Sequence, residues 1–279
     1  MMAAMFDMAN DPDTSLMQSH DFADALRLCG QGPVILPDGA LVLHRRVMGI
    51  SVAMLPRATP CAALSDHLRQ VGLHRLPLIL SPETFTRKYG LRLRKPACAA
   101  KIDLRVPQSI RFAGLHQKWR NQLRHAQNSD LTVVRAPMLP DAALPDLDAA
   151  QGQKQGYRNW PVGLTRAFAQ VAPKKCQVFT AKLKGQTVAQ MLFLLHGTTR
   201  ATYHIGHTTT LGRLHHAHNL ILWTAQNWLS DRGIGRLDLG LLDPKTPNLN
   251  RFKLRSGARP FNLGGTWLRW SPLARHDIA

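Results

Sequence analysis

The chain has 279 residues, 44% of them hydrophobic, so it has enough apolar material for a folded core and exceeds the usual size of one domain. Its formal net charge of +19 indicates attraction to polyanions such as RNA, DNA, an anionic membrane face or a phosphorylated substrate. No apolar run is long enough to span a bilayer and the N-terminal residues lack the basic start of a secretory signal, so we expect a cytoplasmic protein without a transmembrane segment.

The first half of the chain predicts short helices and strands. Residues 1–20 are acidic and predict a mobile head. The Pro37-Asp38-Gly39 turn between two apolar runs predicts a β-hairpin. By the same patterns, helices are predicted at 21–28, at 61–71 and from 115 onward, and strands at 34–36, 40–47, 50–55, 76–80, 101–105 and 131–135.

The helix that starts near residue 115 is amphipathic and basic. Its apolar face is formed by Leu115, Trp119, Leu123 and Ala126. Its polar face carries the candidate nucleic-acid-binding residues Lys118, Arg120 and Arg124. The surrounding residues 87–124 contain many Arg and Lys side chains and one acid, Asp103. This surface is either a footprint for a phosphate-rich partner or a solvated basic face that keeps the protein in solution.

Residues 136–150 contain three prolines and three aspartates and predict a linker. Beyond it, helices are predicted at 161–171, 214–229 and 248–255, and strands at 176–183, 186–196, 200–207, 236–241 and 264–270. A tight turn is predicted at Lys184-Gly185, between the first two of these strands. We therefore predict an α/β (α+β) protein with a head at 1–20, an N-terminal domain at 21–135, a linker at 136–150 and a C-terminal domain at 151–279.

Five sequence strings between residues 118 and 258 stand in an order and spacing that resemble a known family. They are KWRNQLRHA at 118–126, YHIGH at 203–207, HNLILW at 218–223, LDLG at 237–240 and RFKLRSGA at 251–258. Together they resemble the FemAB-like family of the GNAT superfamily, the aminoacyl transferases first known from peptidoglycan cross-bridges, over residues 110–270. The resemblance implies tandem GNAT-like domains, each with a mixed, mostly antiparallel sheet flanked by helices, the N-terminal one degenerate. It also implies transfer of an activated acyl group, often an amino acid from its tRNA, onto an amine.

The resemblance assigns candidate catalytic residues. Lys253 maps onto the family lysine near the transferred carbonyl, where it would stabilise an oxyanion; the alternative is a surface lysine. Tyr203 and His204 map onto the end of the central strand, and only one of His204 and His207 is expected to face the cleft, as a proton acceptor or as a structural histidine. Asp238 would orient a base or bind the acceptor amine, unless it pairs with a nearby arginine.

Donor and acceptor contacts are also predicted. The CoA pyrophosphate loop of most GNAT enzymes is replaced by a segment with one of its two glycines, which favours aminoacyl-tRNA over acyl-CoA as the donor. Gly212 and Arg213 remain the best phosphate contacts, extended by Arg255. Tyr157 and Trp160 would cap the acceptor or stack on a base, unless their loop is a packed corner.

We predict neither a metal nor a tightly bound cofactor. The histidines at 215, 216 and 218 have no carboxylate at ligand spacing, and none of the four cysteines forms a C-x-x-C pair. The predicted function is transfer of an acyl or aminoacyl group, from aminoacyl-tRNA, onto an amine acceptor. The alternatives are an N-acyltransferase using acyl-CoA or an acidic acyl carrier protein, and a non-catalytic nucleic-acid-binding protein on a GNAT scaffold. Peripheral contact with an anionic membrane is a further candidate interaction.

Overall fold

The computed structural model describes residues 13–270 except Thr86 and Arg158. Residues 1–12 of the predicted mobile head lie outside the described residues, whereas the following residues are packed into the fold. Leu16–Gln18 forms a 3-10 turn, and the Gln18 side chain is 3% exposed. Its amide bonds to the backbone of Leu41 and to the carbonyl of Pro56. The segment from residue 13 onward is therefore anchored to two strands and is not a mobile head.

The chain forms two sheets flanked by helices, as the predicted tandem arrangement requires. The helices are α1 (His20–Leu28), α2 (Leu64–Gln70), α3 (Gln108–Ala113), α4 (Gln117–Gln127), α5 (Leu144–Gln155), α6 (Val162–Val171), α7 (Thr210–Leu214), α8 (Ala217–Ser230) and α9 (Pro247–Arg255). The strands are β1 (Pro33–Ile35), β2 (Leu41–Val47), β3 (Ile50–Pro56), β4 (Leu78–Ser81), β5 (Leu91–Arg94), β6 (Cys98–Asp103), β7 (Leu131–Pro137), β8 (Cys176–Leu183), β9 (Gln186–His196), β10 (Arg200–Thr208), β11 (Arg236–Leu241), β12 (Arg259–Asn262) and β13 (Thr266–Arg269).

Both sheets repeat one core arrangement. In the first, β1, β2 and β3 are antiparallel, and α2 connects β3 to a parallel neighbour, β4. In the second, β7 to β10 are antiparallel, and α7 and α8 connect β10 to a parallel neighbour, β11. The turn predicted at Lys184-Gly185 is present, and both residues have positive φ, which suits the twist of a two-residue hairpin.

Each sheet also includes strands from the other side of the predicted domain boundary. Strand β6 lies between β11 and β12 in the second sheet, and the last strand, β13, lies between β4 and β5 in the first. The predicted boundary at 136–150 is therefore misplaced, because β6, α4 and β7 precede it but belong to the second domain. That segment contains the start of α5, where Pro145 occupies the first turn and needs no N–H partner.

Three apolar clusters hold the layers together. On one face of the second sheet, α4 and α8 bury Trp119 and Ile221 against Phe193. On its other face, α1 and α6 form a cluster that also includes Leu41 of the first sheet, so this cluster joins the two domains. The outer face of the first sheet is covered by α2.

The helix predicted at 214–229 begins at Ala217, as α8, and is preceded by a separate short helix, α7, which ends at Leu214. His216, with φ 53°, lies between α7 and α8. The short α7 lies close to β9, and a Cβ on Gly212 would collide with the Val188 carbonyl. The glycine is therefore required for close packing of α7 on the sheet.

Candidate active site

Strands β10 and β11 pair only briefly. Their parallel pairing covers Arg200–Thr202 against Arg236–Asp238. Beyond it, β10 has an irregularity between Tyr203 and Ile205, and β11 has one between Asp238 and Gly240, where Gly240 has φ 76°. Because bulges bend strands, the two strands separate and leave an opening between them.

A cavity of about 280 Å³ lies at this opening. Its walls include the ends of β10 and β11, with Tyr203, His204 and Asp238 among the lining residues. The first domain contributes Arg57, which follows β3, and Glu83, which follows β4. The ends of the parallel strands of both sheets therefore meet at one cavity.

A network of four charged side chains crosses the domain boundary at this cavity. Arg200 is 2% exposed, and its Nη2 bonds to Glu83 Oε1 at 2.5 Å and to Asp238 Oδ2 at 2.9 Å. Arg236 bonds to the same two acids at 2.9 and 2.8 Å. Burial acts to raise the pKa of Glu83, but the hydrogen bond and charge of Arg200 hold it below its usual value. Both carboxylate oxygens of Asp238 accept hydrogen bonds from arginines. Asp238 is therefore paired with arginine, which was the alternative to its predicted role at the base or the acceptor amine.

Arg57 is the unmatched charge of the cavity wall. Its φ of 55° is in the left-handed region, which costs a non-glycine residue about 1 kcal/mol. Its N–H donates to the Ser81 carbonyl at 2.7 Å, and its carbonyl accepts from Ser15 Oγ at 3.1 Å. Within the described part of the chain, its guanidinium makes no hydrogen bond or ion pair. Glu83 and Asp238 attract its charge from a distance, and the two arginines of the network repel it. The lining residues thus carry three guanidinium groups and two carboxylates, an excess of positive charge.

Lys253 is buried beside the same opening. Its side chain is 5% exposed, and Nζ donates to the Leu241 carbonyl at 2.8 Å, next to Gly240. Burial lowers the pKa of Lys253 from 10.5 to about 8, so the ammonium remains mostly charged at pH 7. Among the described residues it has no carboxylate partner. The surface-lysine alternative does not hold, and the ammonium lies behind the part of β11 that lines the cavity.

His204 and Tyr203 line the cavity at the irregularity in β10. His204 Nε2 lies 3.1 Å from Thr165 Oγ1, and its ring centroid is 4.6 Å from that of Trp160. Burial lowers the pKa of His204 to about 4, so its ring is neutral at pH 7 and only weakly basic. Tyr203 packs against Phe193 with a pKa raised by burial.

His207 does not line this cavity. Its carbonyl accepts from Nε2 of His218 at 3.0 Å. Burial lowers the pKa of His218 to about 4, so this ring is also neutral at pH 7. Of the two strand histidines considered as a base, His204 is thus the one at the cavity.

The loop at 156–160 borders a second, larger cavity of about 700 Å³. The Tyr157 hydroxyl donates to Asp148 at 3.0 Å and accepts from Gln151 at 2.7 Å. Burial raises the pKa of Tyr157 to about 12. Trp160 packs on Phe22 and lines both cavities. The loop is a packed corner that also forms a wall. Among the described residues, one charged side chain, Asp148, lines the larger cavity, whereas five line the smaller one.

Two backbone donors of the predicted phosphate contacts are already used, whereas the Arg213 side chain is exposed. The N–H of Gly212 donates to Thr209 Oγ1 at 3.0 Å, and the N–H of Arg213 donates to the Thr209 carbonyl at 3.0 Å. Both donors are therefore used within the five-residue α7. Arg255 is half-buried at the end of α9, and its carbonyl accepts from His116 N–H.

The basic face predicted on α4 is present. Lys118 and Arg124 are exposed, whereas Arg120 is half-buried and donates to the Leu115 carbonyl at 3.3 Å. The guanidinium groups of Arg120 and Arg124 lie 5.9 and 5.7 Å from the Phe112 ring centroid, within the range of cation–π attraction.

Sequence reasoning missed three residues of the site: Arg57, Glu83 and Arg200. They lie far apart in the chain, and no local pattern connects them. Arg200 is the first residue of a strand with many polar side chains, so its burial left no signal in the sequence.

Comparison with known proteins agrees with this architecture. Residues 115–253 match the model of the acetyltransferase (GNAT) domain family. The fold is similar to the crystal structure of FemX, with a TM-score of 0.74 and 12% identity over 98% of this chain and 97% of that chain. No match to a curated protein sequence was found.

Two further solved structures are similar. A conserved protein of unknown function from Bacteroides thetaiotaomicron has a TM-score of 0.60 and 13% identity over 93% of each chain. The C-terminal domain of a putative lysylphosphatidylglycerol synthetase from Agrobacterium fabrum has a TM-score of 0.56 and 14% identity over 92% of this chain and 90% of that chain. Over the residues that the structure describes, no helix is long and apolar enough to cross a membrane. Residues 115–253 thus contain a GNAT acetyltransferase domain, and the chain as a whole has a tandem fold like that of FemX.

Proposed function

We propose that the protein transfers an aminoacyl group from aminoacyl-tRNA onto an amine, in the cavity between the two sheets. The observation that carries this proposal is the buried ammonium of Lys253 where β10 and β11 separate. It has three N–H donors and gives one to the Leu241 carbonyl. The remaining donors are available to an oxyanion, and such stabilisation is worth on the order of 10²–10³ in rate.

The reaction balances without a cofactor. The acceptor nitrogen attacks the ester carbonyl carbon of the aminoacyl group, and a C–N bond forms. The carbonyl oxygen becomes an oxyanion that accepts hydrogen bonds from Lys253. The ester C–O bond then breaks, and the amine proton is passed to the departing ribose oxygen. His204 is a weak base with a pKa of about 4, so we assign it to the cavity wall, not to a strongly basic role.

The donor is proposed to be aminoacyl-tRNA. The N–H groups of Gly212 and Arg213 donate to Thr209, so neither of these two is free to bind a CoA pyrophosphate. The exposed basic face of α4 and the net charge of +19 suit a polynucleotide. The second candidate is an acyltransferase that uses acyl-CoA, because the matching family model is one of acetyltransferases. An acidic acyl carrier would also suit the basic surface.

The acceptor is proposed to be an amine that also carries an anionic group. The cavity wall has an excess of positive charge, and among the described residues the Arg57 guanidinium makes neither a hydrogen bond nor an ion pair. A carboxylate or phosphate next to the reacting amine would fill this position by charge-assisted hydrogen bonds.

The donor is tested with tRNAs charged with one labelled amino acid at a time and a cell extract as acceptor. We expect selective, protein-dependent discharge of one amino acid, lost in Lys253→Met and retained in the control Lys245→Met, whose side chain is exposed. Discharge of acyl-CoA or acyl carrier thioesters, but of no tRNA, would establish the second candidate. Polyanion binding without any transfer would identify a non-catalytic binding protein.

The acceptor class is tested with Arg57→Met and the matched control Arg46→Met, which removes an exposed arginine of β2. We expect KM for an anionic amine to rise at least about 10-fold in Arg57→Met, because a charge-assisted hydrogen bond contributes about 1.5–3 kcal/mol. KM for a neutral amine should stay the same. Equal effects on both acceptors would argue against an anion subsite.

A further inference from the structure

Three side chains converge in the first domain, away from the charged network. Asp38 lies in the turn between β1 and β2, Cys61 precedes α2, and His67 lies within α2. Cys61 Sγ lies 3.1 Å from Asp38 Oδ2 and 3.9 Å from His67 Nδ1, and these Asp38 and His67 atoms are 3.4 Å apart. Among the described residues, this is the one group of three or more His, Cys and acidic side chains close enough to share a metal ion.

The distances fit the ligand shell of zinc. Zinc binds thiolate sulfur at about 2.3 Å, imidazole nitrogen at about 2.0 Å and carboxylate oxygen at about 2.0 Å, so the edges of its tetrahedron measure about 3.3–3.6 Å. The observed separations are 3.1, 3.4 and 3.9 Å, so one lies within this range, one is slightly shorter and one is slightly longer. A nitrogen, a sulfur and an oxygen donor favour zinc over magnesium or calcium, which prefer oxygen ligands.

A backbone hydrogen bond holds the carboxylate of Asp38 in place. Its Oδ1 accepts from Ala40 N–H at 3.1 Å, within the turn, which leaves Oδ2 directed at Cys61 and His67. Such a contact orients a ligand as outer hydrogen bonds do in metal sites. The Asp38 and His67 side chains are 18% and 17% exposed, so an ion can enter from solvent and keep one water.

We propose that Asp38, Cys61 and His67 bind one Zn²⁺ ion, with water as the fourth ligand. The ion ties the β1–β2 turn to the segment between β3 and α2. That segment begins with Arg57, the residue with the unmatched charge at the cavity, and Cys61 lies four positions later. The ion therefore stabilises the first domain and the segment that positions Arg57. The zinc site does not depend on the identity of the acyl donor.

The test is zinc binding by the full chain. After incubation with zinc and gel filtration, we expect about one equivalent by elemental analysis, as for a single tetrahedral site. Asp38→Asn keeps the acceptor for Ala40 N–H and removes the carboxylate, so it should fold and bind zinc at least about 10-fold more weakly in a chelator competition. Cys61→Ser should lose zinc, whereas Cys29→Ser, at an exposed cysteine, should bind like the parent.

Cobalt gives a second readout. The parent protein with Co²⁺ should show thiolate-to-cobalt charge-transfer absorption and the visible bands of a tetrahedral ion, and Cys61→Ser should lose the charge-transfer absorption. Zinc should raise the Tm of the parent and of Cys29→Ser, but not that of Cys61→Ser. No zinc above background, or equal binding by all variants, would overturn the proposal and leave a hydrogen-bonded trio without a metal.

Discussion

The two sheets share a strand–helix–strand core but differ where their parallel strands end. In the first, β3 and β4 stay in regular register from Ala53 and Leu78 to Pro56 and Ser81. In the second, the pairing of β10 with β11 stops at Thr202 and Asp238 and irregularities follow. The first sheet contributes charged residues from intact strand ends, whereas the second provides the opening and Lys253. The site thus arises from a local loss of strand pairing within a duplicated architecture.

Of the changes considered, a fall in pH should reduce the free energy of unfolding most, and the loss should arise in the second domain. His196, His204 and His218 all lie there, and burial lowers the pKa of each to about 4. Below pH 6.5 the unfolded state binds more protons than the folded state, so the free energy of unfolding falls as pH drops from 6.5 to 4. We expect a loss of several kcal/mol in total. As the pH is lowered, hydrogen exchange measured separately for each domain should show that the second domain opens first. Equal opening of both domains would contradict the proposed difference between them.

The next largest loss of stability is expected when the charged network between the two domains is broken. Glu83→Gln leaves Arg200 and Arg236 with Asp238 as their shared acid, and we expect a loss of about 2–4 kcal/mol because a buried network is broken. Denaturant unfolding measures it. The exposed Asp66–Arg69 pair is the control, where Asp66→Asn should cost less than about 1 kcal/mol. Similar losses in both variants would show that the network does not couple the sheets.

Lys253 should reduce stability while it serves the reaction. Its pKa is about 8 when folded and 10.5 when unfolded, so its charge opposes folding at pH 7, and this penalty is relieved as pH rises from 8 to 10.5. Lys253→Met should therefore raise the free energy of unfolding at pH 7 by about 1–3 kcal/mol. The gain should shrink over that pH range, and Lys245→Met should show no such pattern. A loss of stability in Lys253→Met would mean that the ammonium is structural.

The smallest effect is expected at the end of β11. Gly240→Ala should lower stability by about 1 kcal/mol, because φ is 76° there and alanine is strained in that region. Gly163→Ala, in α6 with nothing within 4 Å of the new Cβ, should instead raise stability by about 0.5–1 kcal/mol. Equal thermal shifts in the same direction would show that the left-handed position carries no strain.

Local signals predicted much of the fold. The structure confirmed the apolar face of α4, the Lys184-Gly185 turn and the antiparallel strands of the second sheet. These features could be predicted because hydrophobic periodicity and turn chemistry are local in the sequence. The exchange of β6 and β13 was missed, since strand neighbours are chosen by tertiary packing. The prolines of residues 136–150 predicted a linker, although Pro145 occupies the first turn of a helix.

The site was predicted only in part. Lys253, His204 and Tyr203 were predicted by resemblance. The structure places Tyr203 and His204 in the cavity wall and the Lys253 ammonium behind β11, on the Leu241 carbonyl. Arg57 and Glu83 were not predicted, because their positions depend on where the two domains meet. The partner of Asp238 was also left open, since ion pairs between distant segments leave no pattern in the sequence.

The most direct test of the central claim is the single-turnover rate of aminoacyl transfer from the tRNA identified by the discharge screen. The rate is compared among the parent, Lys253→Met and Lys245→Met at pH 7, each shown to be folded and to bind that tRNA equally. We predict a decrease on the order of 10²–10³ for Lys253→Met and parental rates for Lys245→Met. Equal rates in all three proteins would contradict the placement of the reaction where β10 and β11 separate.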